Sequence, residues 1–155
     1  MDLFDRWNRI ANQFTDLIGD IADDVRAHVE LGAALLEKGD YDLAIVELGL
    51  ALQKRRDHAR ARYLLGLCYQ RRGKPGDYEE AKRELQLAMA VRADYAEAQV
   101  AFGDALRSGG ELEQAAESYR LALPLLGDAV ARAEVERNLG AVYLQLGQLD
   151  KAVRE

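Results

Sequence analysis

Leu31-Gly32-Ala33-Ala34-Leu35-Leu36-Glu37-Lys38-Gly39-Asp40-Tyr41-Asp42-Leu43-Ala44 is the stretch that decides how this chain folds. It reads as the last turns of one helix, a tight turn at Gly39-Asp40, and the start of a second helix. The same order returns three times, as Leu65-Gly66 with Tyr69 and Gly73, Phe102-Gly103 with Leu106 and Gly110, and Leu139-Gly140 with Tyr143 and Gly147. The small residues fall at 32, 66, 103 and 140, so the steps are 34, 37 and 37 residues. A period of this size predicts stacked helical hairpins, because one hairpin cannot bury its own apolar face.

Outward from that stretch, the second helix of the first unit carries Leu43, Ala44, Leu48, Ala51 and Leu52 on one face. The second unit repeats this with Ala81, Leu85 and Ala88, after the loop insertion Lys74-Pro75-Gly76-Asp77. The third places Ala115, Tyr119 and Ala122 on its second helix, and Pro124 ends that helix. Asp128 then caps a longer helix running to Leu146, with a turn expected at Gly147. The units span about 25–58, 59–95, 96–132 and a partial 133–155, so the repeat domain is expected over 23–155. Residues 1–22 stand apart as an amphipathic capping or docking helix. Leu3, Trp7, Ile10, Phe14, Leu17 and Ile21 form a heptad seam, Gly19 interrupts it, and Asp20, Asp23 and Asp24 offer caps for the first helix of the repeats.

This pattern resembles the tetratricopeptide repeat, a helix–turn–helix unit of about 34 residues. The Leu-Gly pairs match, as do the subsequent Leu35, Tyr69, Leu106 and Tyr143. So do the small Ala44, Ala81, Ala115 and Ala152 and the large Leu48, Leu85 and Tyr119. The first aromatic position departs from it, with His28, Arg62, Gln99 and Glu136, and Arg56 and Ala93 replace the closing proline. The resemblance implies an all-α, right-handed solenoid of hairpins, here with an extra N-terminal amphipathic helix. It also implies a groove, lined by the first helix of each hairpin, that binds a peptide or helix of a partner protein.

The residues that would line it are Arg26, Val29, Ala33, Arg60, Tyr63, Leu67, Gln70, Arg71, Val100, Asp104, Arg107, Arg137 and Ala141, continuing to Gln145. An apolar floor with scattered arginines suits a partner segment with apolar anchors and acidic residues. Relatives that bind chaperone tails hold a terminal carboxylate with lysine and asparagine. Val29 and Ala33 occupy the matching positions in the first repeat, so a chaperone co-factor role is not expected.

Nothing in the chain assembles a catalytic or metal constellation. His28 and His58 are 30 residues apart with no neighbouring cysteine, and the lone Cys68 sits among Leu64, Leu65, Leu67 and Tyr69 as a core thiol. No enzyme, cofactor or metal is therefore expected. In the basic run Lys54, Arg55, Arg56, Arg60 and Arg62, with Arg71, Arg72 and Lys74, the placement of Lys54 to Arg56 and Arg71 to Lys74 is explained by helix C-termini, the alternative being a surface for an acidic protein segment. Net charge of -6 argues against nucleic acid. No signal segment or membrane span is evident, which makes the cytoplasm the default compartment.

The function expected is a non-catalytic interaction scaffold. Its alternatives are self-association through the N-terminal heptad helix, giving a homo-oligomer, and docking of that helix on a membrane, which its aspartates disfavour. The fourth unit lacks the partners that come after Ala44, Ala81 and Ala115, so the repeats are expected to continue past Glu155 in a longer protein.

Overall fold

A computed structural model describes residues 3–154, with side-chain surroundings for 9, 12, 13 and 15–147. The described chain is helical: α1 (Leu3–Lys38), α2 (Tyr41–Lys54), α3 (Ala59–Arg72), α4 (Asp77–Val91), α5 (Ala96–Ser108), α6 (Leu112–Ala122), a 3-10 turn (Leu123–Leu125) and α7 (Ala129–Arg154). Helices α1 and α2, α3 and α4, and α5 and α6 pair as hairpins, and each hairpin packs on the next. Helix α7, the last described helix, packs on α6.

The glycine of each Leu-Gly or Phe-Gly pair is a notch that a large side chain fills. A β-carbon on Gly32 would lie 2.6 Å from Leu48 Cγ, one on Gly66 2.7 Å from Leu85 Cγ, and one on Gly103 2.8 Å from Tyr119 Cε1. Leu48, Leu85 and Tyr119 are fully buried. The three hairpins therefore lock by the same device, with tyrosine replacing leucine in the third. At Gly140 nothing lies within 4 Å, so the fourth notch is unfilled.

Two helices run further than the glycines in them suggest. Helix α1 continues through Gly19, so Asp20, Asp23 and Asp24 lie within it and cap nothing. Asp24 instead pairs with Lys54 of α2. Helix α7 continues through Gly147, and the fourth unit forms one continuous helix in place of a hairpin. Val142 is nonetheless fully buried against α6, with Leu139 and Leu146 half-buried beside it. A mid-helix glycine costs only about 1 kcal/mol relative to alanine. That is too little to break a helix unless a later segment docks back on it. Gly39, by contrast, adopts φ 88°, and α2 folds back onto α1 directly after it.

Two helix starts are capped by a side chain, whereas Asp40 before α2 makes no such bond. The Ala131 N–H donates to Asp128 Oδ2 at 2.9 Å, which makes Asp128 the cap of α7. His58 caps α3, its Nδ1 accepting from the Ala61 N–H at 3.1 Å. Burial holds this imidazole below its ordinary value, in keeping with an unprotonated acceptor nitrogen. Cys68 is buried, and its thiol is pushed up to about 11 by desolvation.

The basic residues are largely spent inside the array. Arg62 reaches the buried Glu84 at 2.7 Å, and Arg72 bridges Asp77 at 2.6 Å and Asp42 at 2.6 Å. Asp77, itself buried, also accepts from the Lys74 N–H at 2.9 Å, which fixes the loop between α3 and α4. Arg72 beside it holds the Asp77 carboxyl below the ordinary 3.8. The folded value lies under the unfolded one, so this stabilisation is complete above pH 3.8 and is lost as pH falls through the folded value. Asp77→Asn is expected to cost about 1.5–3 kcal/mol at neutral pH, the scale of hydrogen bonds to a charged group. That deficit should shrink in urea melts taken below pH 3.8. A pH-independent deficit would remove Arg72 as the cause.

Candidate functional site

The first helices of the second and third hairpins, together with α7, line a cleft with a volume of about 260 Å³. Helix α3 contributes Tyr63, Leu67 and Arg71, and α5 contributes Glu97, Val100, Ala101 and Asp104. Leu126 closes it from the connector, and Ala131, Glu134, Val135 and Asn138 line it from α7. Residues spaced by three and four on each helix supply one stripe, which is why three helices suffice to wall it.

Five residues expected from the sequence meet here: Tyr63, Leu67, Arg71, Val100 and Asp104. The others lie elsewhere. Val29 is only 1% exposed and belongs to the core between α1 and α2, so it cannot face a ligand. Ala33 packs half-buried against that same core. Gln70 lines a separate cleft with Tyr69, Tyr78, Ala105 and Gly109. Arg137 is exposed, and Ala141 half-buried; both fall outside the cleft lining. On α7 the lining comes from one turn nearer the helix start, because α7 begins at Ala129 and its first turns overhang the cleft. Of the N-terminal seam, Leu17 and Ile21 are exposed. Leu3, Trp7, Ile10 and Phe14 lie outside the residues whose side chains are described.

The arginines on which an acidic ligand was expected each have a carboxylate close by. Arg26 pairs with Asp23 at 3.1 Å, Arg60 with Glu30, Arg71 with Glu37 at 3.9 Å, Arg107 with Asp104 at 3.9 Å and Arg137 with Glu134 at 3.7 Å. The lining itself carries Glu97, Asp104 and Glu134 against Arg71 alone among the described residues. The cleft lining is thus net acidic among the described residues, so an acidic partner segment is not what this lining favours.

Asp104 is the best-defined polar group of the cleft. The Tyr119 hydroxyl donates to its Oδ1 at 2.5 Å from the hairpin core behind it. Burial pushes the Asp104 carboxyl up from its ordinary value, and the charge of Glu134 adds to that, against the Tyr119 hydrogen bond and Arg107. Tyr63 is held in place by Tyr95, with ring centroids 5.1 Å apart, and Arg92 covers the outer ring at 3.7 Å. The cleft thus sets a half-buried apolar wall of Tyr63, Leu67 and Val100 beside the half-buried carboxylate of Asp104.

Among the described residues no group of three His, Cys, Asp or Glu is arranged to hold a metal ion. Among the same residues no helix is long and apolar enough to cross a membrane.

Residues 11–57 match the family model described as tetratricopeptide repeat. Among solved structures, the first tetratricopeptide domain of Spaghetti (RPAP3), bound to the HSP90 peptide SRMEEVD, aligns with a TM-score of 0.73 at 21% identity over 81% of this chain and 97% of that one. The Yersinia enterocolitica type III secretion chaperone SycD, in complex with a peptide of the translocator YopD, gives 0.73 at 20% identity over 79% and 94%. The Sgt2 domain of Aspergillus fumigatus gives 0.73 at 19% over 83% and 82%. At such identities the likeness establishes the fold. No curated protein sequence matches the chain.

Proposed function

We propose, this chain being a tetratricopeptide-repeat protein, that it acts as a non-catalytic interaction module whose cleft between α3, α5 and α7 receives a short segment of a partner protein. The observation that carries this reading is the cleft itself: Tyr63, Leu67 and Val100 form a half-buried apolar wall that the fold leaves partly open to solvent. An extended or helical segment can bury one or two anchors there, which is how grooves of helical repeats gain affinity. Two structural neighbours are described with peptides bound, one from HSP90 and one from YopD, and this agrees with the reading.

Selection of a displayed peptide library against the intact chain tests it. Selected peptides are expected to lose at least about ten-fold in affinity on Leu67→Arg or Val100→Arg, since each change buries an unpaired charge in the contact. Tyr143→Arg, on the exposed outer face of α7, is expected to leave binding unchanged. Peptides indifferent to both cleft changes would place the interaction surface elsewhere.

A second reading rests on α1. Leu17, Ile18 and Ile21 are 53%, 65% and 43% exposed on the part of the helix that precedes the hairpin core. That apolar run suits self-association. Light scattering of the intact chain against a version lacking residues 1–22 tests it, and a monomer in both cases removes it.

A further inference from the structure

We infer that the segment received by the cleft pairs an apolar anchor with a lysine or arginine, which donates to Asp104. This rests on the cleft being the binding site and specifies the chemistry of its occupant.

The charge distribution argues for it. Asp104 closes the C-terminal end of the α5 stripe that lines the cleft, with its Oδ1 accepting from the Tyr119 hydroxyl. Glu134 lines the cleft from α7, and Glu97 lies about two turns toward the start of α5. The counter-charges are loose: Arg107 is 3.9 Å from Asp104, Arg137 3.7 Å from Glu134 and Arg92 3.7 Å from Glu97, all beyond hydrogen-bond reach. Arg71 is the one cation in the described lining, and it leans toward Glu37 of α1 at 3.9 Å. A carboxylate half removed from water, with carboxylates rather than cations beside it in the cleft, gains from a cation that brings its own N–H groups. A carboxylate ligand would instead meet Asp104 and Glu134 as like charges. The apolar wall of Tyr63, Leu67 and Val100 stands next to this carboxylate, so anchor and cation must be close together on the ligand.

The test uses three labelled synthetic peptides that share the apolar residues of a library-selected binder and carry lysine, glutamine or glutamate at the flanking positions. Fluorescence anisotropy with the intact chain is expected to rank them lysine, glutamine, glutamate, with about ten-fold or more between the extremes. Asp104→Asn should erase most of the lysine advantage and leave the glutamine peptide nearly unchanged. Glu134→Gln, on an exposed side chain of α7, should reduce the advantage in the same direction and guards against a folding defect in the first variant. Glutamate binding as tightly as lysine, or a ranking indifferent to both substitutions, would overturn the inference while the cleft reading stands. If Leu67→Arg leaves every peptide bound, the cleft reading fails and the inference with it. A dimer that dissociates on Asp104→Asn would put a second copy in the cleft and would overturn the inference as well.

Discussion

Leu85→Ala is expected to destabilise the fold by about 2–5 kcal/mol, read as a lower urea midpoint with an unchanged slope. Leu85 is 0% exposed and fills the Gly66 notch, with Tyr63, Leu67, Tyr78 and Phe102 packed around the same cluster. Truncation leaves a cavity between two hairpins that are held in place from both sides, so collapse recovers little of the loss. Gly66→Ala alone should also destabilise, by about 1–3 kcal/mol, because its new carbon would stand 2.7 Å from Leu85 Cγ and 3.0 Å from Cδ2. With both changes made, the closest remaining atom is the Ala81 carbonyl oxygen at 3.4 Å. The added methyl then occupies part of the space that leucine vacated. The double variant should therefore be more stable than the sum of the two losses predicts, by about 1 kcal/mol or more. Strict additivity would show that notch and knob do not act as a pair.

Tyr119→Ala should cost about 3–5 kcal/mol, comparable to other buried aromatic truncations. The ring is fully buried against Gly103, where Cε1 and Cδ1 would stand 2.8 and 2.9 Å from an added carbon. Its hydroxyl holds Asp104 from behind. Tyr119→Phe keeps the ring and removes only that bond, and should cost about 1 kcal/mol. The two variants separate packing from orientation. The phenylalanine form should retain most of the stability yet weaken the preference of the cleft for cationic peptides, since Asp104 is then free to turn. Chemical denaturation and peptide anisotropy on both variants check the two halves of this expectation.

The knobs and notches were legible in the sequence because they recur. Gly32 with Leu48, Gly66 with Leu85 and Gly103 with Tyr119 can be paired by spacing alone, and all three pairs meet. Helix ends at Gly19 and Gly147 were not legible. Neither position needs a positive φ, whereas Gly39, Gly73, Gly76 and Gly110 have one. Sequence shows a glycine but not whether a later helix will dock and make the turn worthwhile. Of the groove residues read from the sequence, Tyr63, Leu67, Arg71, Val100 and Asp104 line this cleft, where the repeat register holds on α3 and α5. On α7 the cleft is lined by Ala131, Glu134, Val135 and Asn138 rather than by Arg137 and Ala141. Charge was the least legible feature. Arg60 meets Glu30, and Arg72 meets Asp42, each 30 residues away, so a run of arginines along the chain gave no hint of how many were already paired.

The same residue type carries unequal constraint along this chain. A mutation that adds a side chain at position 32, 66 or 103 is met by Leu48, Leu85 or Tyr119 and would be removed by selection unless the opposing residue changes with it. At 140 no described residue stands within 4 Å, and a helix gains propensity when glycine becomes alanine. Glycine should therefore be held at the first three sites by packing within the described array. At the fourth it is held only where another helix packs across α7.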